Sequence, residues 1–209
     1  MLFPPISVAL AGALIFHLLT NISLPFFAVA PAKMNAEQQP AAYSGRLAAL
    51  FTPQVLRWET EILRWADDAG LDPNLVATVM QIESCGYAQA VSRAGAMGLF
   101  QVMPYHFADG ENSFDPDTNA HRGLAYLRKS LDNFGSPPMA MAGYNGGING
   151  ASRPAAAWAQ ETRDYVYWGE NIYADAATGR ESSPVLQEWL AAGGASLCAQ
   201  AQQLAEAGR

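Results

Sequence analysis

The sequence is poor in cysteine, histidine and charge, and each shortage excludes a class of protein. Two cysteines and three histidines, with no H-E-x-x-H or C-x-x-C motif, are too few for the usual structural zinc sites, so we expect no metal and no cofactor. Twelve basic residues against nineteen acidic ones give a net charge of -7, which has the wrong sign for a nucleic-acid-binding protein. Because half of the residues are hydrophobic and only 15% are charged, global disorder is excluded as well.

The N-terminal part of the chain lacks charge altogether. Residues 2–32 contain no charged side chain, and residues 6–19 are almost entirely apolar, which is typical of a membrane-directed segment. The Ala-Val-Ala run at 28–30 resembles a signal-peptide cleavage site, but Pro31 follows it and no basic residue precedes the apolar stretch. Two alternatives therefore stay open for residues 1–32: a cleaved signal peptide, or a retained anchor that associates with the membrane through residues 2–32. Both predict export.

A linker and one folded domain follow this segment. Residues 33–43 are rich in Ala, Gln and Pro, which is typical of a linker, and residues 44–209 are expected to form the domain. In that domain the hydrophobic residues recur at helical spacing, without sustained strand-like alternation and without an internal repeat. The sequence therefore predicts an all-α domain, which we expect to be monomeric.

Capping residues, prolines and glycines mark the ends of the predicted helices. The helices are expected from Pro53 to Gly70, from Pro73 to Gly86, from about Thr118 to Gly135, from Pro137, through 165–172, from Pro184, and after Gly193 and Gly194.

One acidic residue interrupts the inward face of the second predicted helix. Val76, Val79 and Met80 form this face, and Glu83 occupies its next position. Burial and the negative end of the helix dipole both disfavour a carboxylate, so the pKa of Glu83 is expected to be raised. A carboxylic acid that stays protonated near neutral pH can protonate the leaving oxygen when a glycosidic bond is cleaved. The alternative is a Glu83 that reaches solvent or pairs with an arginine such as Arg93.

Four sequence segments in a fixed order resemble one known family. They are Glu83-Ser84, residues 92–104 (SRAGAMGLFQVMP), residues 142–147 (AGYNGG) and residues 161–166 (ETRDYV). Together they resemble the lytic transglycosylase domain of the soluble type, which shares the goose-type lysozyme fold, and the resemblance extends over about residues 73–175. It implies a lysozyme-like helical domain. It also implies a peptidoglycan lyase that cuts between N-acetylmuramic acid and N-acetylglucosamine and leaves a 1,6-anhydromuramic acid.

The resemblance implies roles at the matching positions. Glu83 matches the sole catalytic acid of the family. The positions that match sugar-binding residues are Ser92, Gly98, Gln101, Met103, Tyr144, Asn145 and Glu161. We expect Gly98 to let a sugar chain approach the backbone and the Gln101 amide to bind an N-acetyl group. Plain structural roles stay open for Gly98, Met103, Tyr144 and Asn145. The chain departs from the family at Gly143, where alanine is usual.

The two cysteines are expected to form a disulfide. Half-buried cysteines of an exported chain commonly pair, so we expect Cys85 to be joined to Cys198. Two free core thiols and a catalytic Cys85 assisted by His106 are the alternatives.

Two other functions stay open beside the lyase. A lysozyme-like hydrolase needs a second carboxylate to activate water or to act as the nucleophile. The candidates are Asp109, Glu111, Asp115 and Asp117. A glycan-binding module without activity is the second alternative, but a pure binder gains nothing from a desolvated acid on an apolar face. We expect the protein to bind the glycan strands of peptidoglycan and not nucleic acid. We also expect it to be located at the cell wall, either in the periplasm or outside the cell.

Overall fold

The computed structural model describes residues 45–207 and their side chains up to residue 203. The predicted signal peptide or anchor at 1–32 and the predicted linker at 33–43 lie outside the described residues. Within 45–207 the chain forms helices and two isolated antiparallel bridges but no β-strand, so the predicted all-α class is confirmed. None of the helices in this range is both long enough and apolar enough to cross a membrane.

Nine α-helices lie within the described residues. In chain order they are α1 (Pro53–Leu56), α2 (Glu59–Ala69), α3 (Pro73–Glu83), α4 (Pro116–Phe134), α5 (Pro137–Gly146), α6 (Ile148–Ala151), α7 (Gln160–Ala177), α8 (Pro184–Trp189) and α9 (Ala195–Ala207). Short 3₁₀ helices at Pro104–His106 and Ala155–Ala157 interrupt the loops, and a π-helical segment, Leu190–Gly194, joins α8 to α9.

Local capping sets most helix ends where the sequence predicts them. The Asp72 side chain caps α3 by accepting a hydrogen bond from a backbone N–H of its first turn at 2.7 Å. Asp115 caps α4 in the same way, and Thr118 supplies the backbone N–H at 2.8 Å; the helix begins at Pro116, two residues before the expected start. Gly70 and Gly135 end α2 and α4 in the left-handed conformation that favours glycine.

The first predicted helix is divided in the structure. A turn at Arg57 and Trp58 separates α1 from α2, and both side chains donate to the carbonyl oxygen of Gly86, Trp58 Nε1 at 3.0 Å. Thr52 does not cap α1 with its side chain, because its hydroxyl donates to Gln81 Oε1 at 3.0 Å. These partners are distant in sequence, so hydrophobic spacing alone could not reveal the break.

Helix α3 lies at the centre of the core. All but one of the residues between Pro73 and Ile82 are buried, including the predicted inward residues Val76, Val79 and Met80. Helix α7 packs against α3 and α5, and α5 packs against α4. The end of α3 is therefore enclosed by other elements, and Glu83 is its last residue.

A disulfide joins Cys85 to Cys198, with a Cα–Cα distance of 5.0 Å. It is the pairing that the sequence predicts, and no free cysteine remains in the described part of the chain. The bond connects the turn after α3 to α9.

Candidate active site

A cleft of about 270 Å³ opens at the C-terminal end of α3. Its walls come from the loop between α3 and α4, from α4 and α5, and from the start of α7. The structure brings together seven of the eight residues for which the sequence predicts catalysis or sugar binding. They are Glu83, Ser92, Gln101, Met103, Tyr144, Asn145 and Glu161.

Glu83 is positioned by an abrupt end of α3. The chain turns immediately after it, with left-handed φ values of 50° at Cys85 and 75° at Gly86, so the helix stops three residues before the predicted glycine. A side chain at Gly86 would place its Cβ 2.5 Å from a carbonyl oxygen of α1, so only glycine fits. The Ser84 hydroxyl then donates to the carbonyl oxygen of Leu99 at 2.7 Å, which fixes the following loop across the helix end.

The surroundings of Glu83 keep its carboxyl protonated at neutral pH. Burial raises the pKa of Glu83, the nearby Tyr165 hydroxyl lowers it and the negative charge of Glu161 raises it, and together they bring it to about 8. None of the ion pairs among the described residues includes Glu83, so the alternative pairing with Arg93 is not observed. The carboxyl is part-buried and still borders the cleft, where a proton acceptor can reach it.

Tyr165 places a second polar group beside the acid. Its hydroxyl is buried and has no partner with hydrogen-bond geometry among the described residues, although it lies close enough to lower the pKa of Glu83. Because an unpaired buried hydroxyl costs about 1–3 kcal/mol, its position next to Glu83 points to a function. The sequence placed Tyr165 on an inward helix face but gave no sign of this hydroxyl.

Internal hydrogen bonds limit what Gln101 and Tyr144 can offer a ligand. Gln101 has a left-handed φ of 46°, and its Nε2 donates to the carbonyl oxygens of Ala90 at 3.2 Å and Gly98 at 2.9 Å. Its Oε1 is left as an acceptor. The Tyr144 hydroxyl donates to the carbonyl oxygen of Phe100 at 2.6 Å, and burial followed by the charge of Glu83 holds its pKa well above the usual range. Tyr144 thus presents mainly its ring to the cleft.

Gly98 has a different position from the one predicted. It is buried, does not line the cleft, and adopts a φ of 78°; a Cβ there would lie 2.2 Å from Asn119 Nδ2. Asn119 accepts from the backbone N–H of Phe100 at 2.8 Å and donates to the carbonyl oxygens of Met97 at 2.8 Å and Ser113 at 2.9 Å. Glycine is needed here because the Asn119 amide comes so close.

Four polar or aromatic lining residues were missed by the sequence analysis. They are Tyr105, His106, Arg122 and Tyr126. Arg122 and Tyr126 lie one turn apart on α4, away from its apolar stripe, and this spacing was the only available signal. Arg122 forms a bidentate ion pair with Glu111, with N–O distances of 2.8 and 2.5 Å, and the guanidinium lowers the pKa of that carboxyl.

The four acids offered as partners for hydrolysis do not line the cleft: Asp109, Glu111, Asp115 and Asp117. Asp115 caps α4, and Asp117 pairs with Arg64 of α2 at 2.5 Å. Of the carboxylates in the described residues, only Glu83 and Glu161 border the cleft. The same residues contain no group of three or more His, Cys, Asp or Glu side chains that could hold a metal ion.

The cleft continues into a second depression of about 340 Å³. Asn145 and Glu161 line both, and Arg153 and Trp158 line the second. Trp158 is held in place because its Nε1 donates to the carbonyl oxygen of Arg153 at 2.9 Å and its own carbonyl oxygen accepts from Arg163. The two depressions share Asn145 and Glu161 as lining residues, and we call them together the groove.

Comparison with known proteins identifies the family to which the chain belongs. Residues 61–165, half of the chain, match the family model described as the transglycosylase SLT domain. A transglycosylase of Enterobacteria phage PRD1 is 38% identical over 112 residues, which cover 53% of this chain and 40% of the phage protein. The membrane-bound lytic murein transglycosylase C of Photorhabdus laumondii is 38% identical over 71 residues, which cover 28% of this chain and 20% of that protein.

A solved structure of an inactive mutant of the lytic transglycosylase Slt from Pseudomonas aeruginosa is also similar. It matches with a TM-score of 0.49 at 25% identity, over 64% of this chain and 26% of that one. The chain therefore spans less than half of each of these three proteins. The family match contains the end of α3, the loop that follows, and every predicted residue that lines the cleft. The resemblance drawn from the four sequence segments is thereby confirmed, and the chain belongs to the transglycosylase SLT domain family.

Proposed function

We propose that this chain is a lytic transglycosylase that cleaves the β-1,4 bond between N-acetylmuramic acid and N-acetylglucosamine in peptidoglycan. The observation that carries the proposal is the carboxyl of Glu83, whose pKa burial raises to about 8, at the edge of a cleft that adjoins a second depression. Family membership and the names of the relatives support the same reaction class.

Glu83 acts first as a general acid. It donates its proton to the oxygen between C1 of the muramic acid and the next sugar, the C1–O bond breaks, and the glucosamine leaves with a hydroxyl group. Positive charge then develops at C1, where the acetamido group of the substrate stabilises it. A desolvated carboxyl suits this step because it still holds its proton at neutral pH.

The same residue then acts as a general base. The Glu83 carboxylate takes the proton of the C6 hydroxyl as that oxygen bonds to C1, which gives a 1,6-anhydro sugar and restores the protonated acid. No water is consumed, so no second carboxylate is required. The unpaired Tyr165 hydroxyl is placed to donate a hydrogen bond to the carboxylate that exists between the two steps.

The cleft residues bind the sugars on either side of this bond. Since Gln101 Nε2 is bonded inward, Gln101 Oε1 accepts from the N–H of an acetamido group. Ser92 Oγ already accepts from the backbone N–H of Ala96 at 3.0 Å, so its hydroxyl hydrogen is the part available to a sugar. Met103 and the Tyr144 ring supply apolar contact. Asn145 and Glu161 act where the two depressions meet.

Hydrolysis is the second candidate, and one observation favours it. Glu161 borders the same cleft as Glu83, and an inverting or retaining glycosidase uses a second carboxylate. Glu161 lies in the first turn of α7 and is exposed, so it is not desolvated as a proton-transfer partner of the acid would be. We therefore assign Glu161 to sugar binding and not to proton transfer. Hydrolysis and the lyase reaction can be told apart by their products.

We also propose that the protein works outside the cytoplasm, at the cell wall in the periplasm or at the cell exterior, as a monomer. The uncharged segment at 2–32 supports export, with or without retention at the membrane. The disulfide between Cys85 and Cys198 supports an oxidising compartment.

A glutamine substitution at the acid tests the proposal. Glu83→Gln keeps the size and hydrogen-bonding capacity of the side chain but has no proton to give, so the fold is retained while lytic activity falls by at least about 10²- to 10⁴-fold. Turbidity clearance of purified cell walls measures the activity, and circular dichroism checks the fold. Glu170→Gln, at an exposed position of α7 outside the cleft, is the matched control and keeps full activity. Near-normal clearance by a folded Glu83→Gln protein would refute the assignment.

A further inference from the structure

A file of aromatic rings runs along the cleft, and we call it the aromatic wall. It consists of Tyr105, His106, Tyr126 and Tyr144. Successive ring centroids lie 4.6, 4.9 and 6.0 Å apart. The wall begins at Tyr144, a half-buried side chain close enough to Glu83 for the acid's charge to influence it, and ends at Tyr105. It therefore leads from the acid to the outside of the protein.

The outer end of the wall is unusually open to solvent. Tyr105 is 75% exposed, which is more than any other large hydrophobic side chain in the described residues. Its backbone is nevertheless fixed, because it lies in the 3₁₀ turn Pro104–His106 and the N–H of His106 donates to the carbonyl oxygen of Met103 at 3.0 Å. An aromatic ring that is held in place and left in water at the edge of a cleft has apolar surface that a ligand can cover.

The chemistry of the wall suits an uncharged ring. A tyrosine presents a flat apolar face together with a polar hydroxyl, and a pyranose has apolar C–H faces and polar edges, so the two can stack while their polar groups stay in water. Burial, followed by the charge of Lys129, lowers the pKa of His106, which favours the uncharged imidazole in this surface. Arg122, which lines the cleft beside the wall, is bound in its ion pair with Glu111.

We propose that Tyr105 and His106 form an outer subsite for a pyranose ring of the glycan strand, beyond the sugars that Glu83 acts on. The inference rests on the proposed function, because it takes the occupant of the groove to be a glycan strand. Tyr105 touches this outer sugar and no reacting atom, so it determines the affinity for long strands and not the proton transfer. The wall continues the cleft from Tyr144 without a break, which is why the occupant is the same strand and not a separate ligand.

Binding to the inactive full-length chain tests the subsite without relying on catalysis. In the Glu83→Gln background, the tetramer of β-1,4-linked N-acetylglucosamine is titrated calorimetrically. Tyr105→Ala is expected to weaken binding about three- to tenfold, a typical range for the loss of one aromatic contact. Tyr105→Phe is expected to bind within twofold of the parent, because stacking needs the ring and not the hydroxyl. The matched control is Tyr167→Ala, which removes a 47% exposed tyrosine of α7 outside the cleft and leaves binding unchanged.

Each outcome decides the inference. Equal affinity of the Tyr105→Ala variant and its parent overturns it, as does a Tyr105→Phe variant that loses as much as Tyr105→Ala, or a parent that does not bind the tetramer. In the active chain, Tyr105→Ala is expected to raise KM for cell walls more than it lowers kcat. Failure of the proposed function has a different signature, since a wild-type chain that binds the tetramer but releases no fragments from cell walls refutes the lyase and leaves the subsite standing.

Discussion

The side chain of Glu83 takes its chemistry from its position in the chain. Burial is the first cause of its raised pKa, and it follows from an acid placed at the end of a helix that is buried on nearly every side. Tyr165 and Glu161 act on the same carboxyl with opposite signs. In the proposed mechanism this one residue is protonated before the reaction and ionised during it, as a combined acid and base must be.

The pH profile of the reaction should follow the ionisation of Glu83. The first step needs the protonated acid, so kcat/KM for cell walls should fall as the pH rises through about 8, approaching a tenfold loss per pH unit above it. An ordinary glutamate, with a pKa of 4.5, would already lose activity from about pH 5. Glu161→Gln removes a charge that raises the pKa of Glu83, so in this variant the fall in kcat/KM should begin at lower pH. A fall in kcat/KM that begins near pH 5 in the wild type would contradict the burial of the acid.

At this scale the sequence predicted the raised pKa of Glu83 but not the arrangement of its neighbours. Glu83 stood out because helical periodicity assigns it to an apolar face, and that argument needs only local spacing. The inward hydrogen bonds of Gln101, the close contact of Gly98 with Asn119 and the unpaired Tyr165 hydroxyl all depend on which elements meet in space. No local pattern contains that information.

The loop between α3 and α4 is held by one amide on a helix. Asn119 of α4 is fully buried and makes three hydrogen bonds to the backbone, two of them in the turn at Met97 and Phe100 that adjoins the cleft. Asn119→Ala would leave these backbone groups unpaired, so it should lower the free energy of unfolding by about 3 kcal/mol. Urea denaturation measures this loss, and Asn133→Ala, at an exposed position of the same helix, is the control, expected within about 0.5 kcal/mol of wild type. Equal stability of the two variants would show that Asn119 does not hold this loop.

Helix ends were predictable where one residue determines them, and breaks were not. Asp72 and Gly135 act through their own backbone or the next turn, so their signals are local. The glycine at position 143, inside α5, could not be explained from the sequence, because alanine is usual there in the family. In the structure a Cβ at Gly143 would lie 2.1 Å from Ser130 Oγ, and that hydroxyl is held by the carbonyl oxygen of Ala140 at 2.8 Å.

At the scale of the whole domain, the disulfide connects the turn after α3 to the last helix of the described chain. Cys85 and Cys198 are 113 residues apart in sequence, and closing so long a loop in the unfolded chain accounts for about 4 kcal/mol of stability in the chain-entropy description. Reduction should therefore lower the urea midpoint of the wild type substantially and leave that of a Cys85→Ser/Cys198→Ser variant unchanged. Thiol titration under denaturing, non-reducing conditions should find no free thiol in the native protein. Two titratable thiols per chain would show that the pair is not formed.

The central claim is that one carboxyl cuts the glycan without water, and the products report this directly. Wild-type enzyme is incubated with purified peptidoglycan, and the released fragments are analysed by mass spectrometry without prior chemical reduction. The fragments should end in 1,6-anhydromuramic acid and weigh about 18 Da less than their hydrolysed counterparts, because the C6 hydroxyl replaces water as the attacking group. Fragments that end mainly in reducing sugars would contradict the account, and they would make Glu161 the carboxylate that activates water.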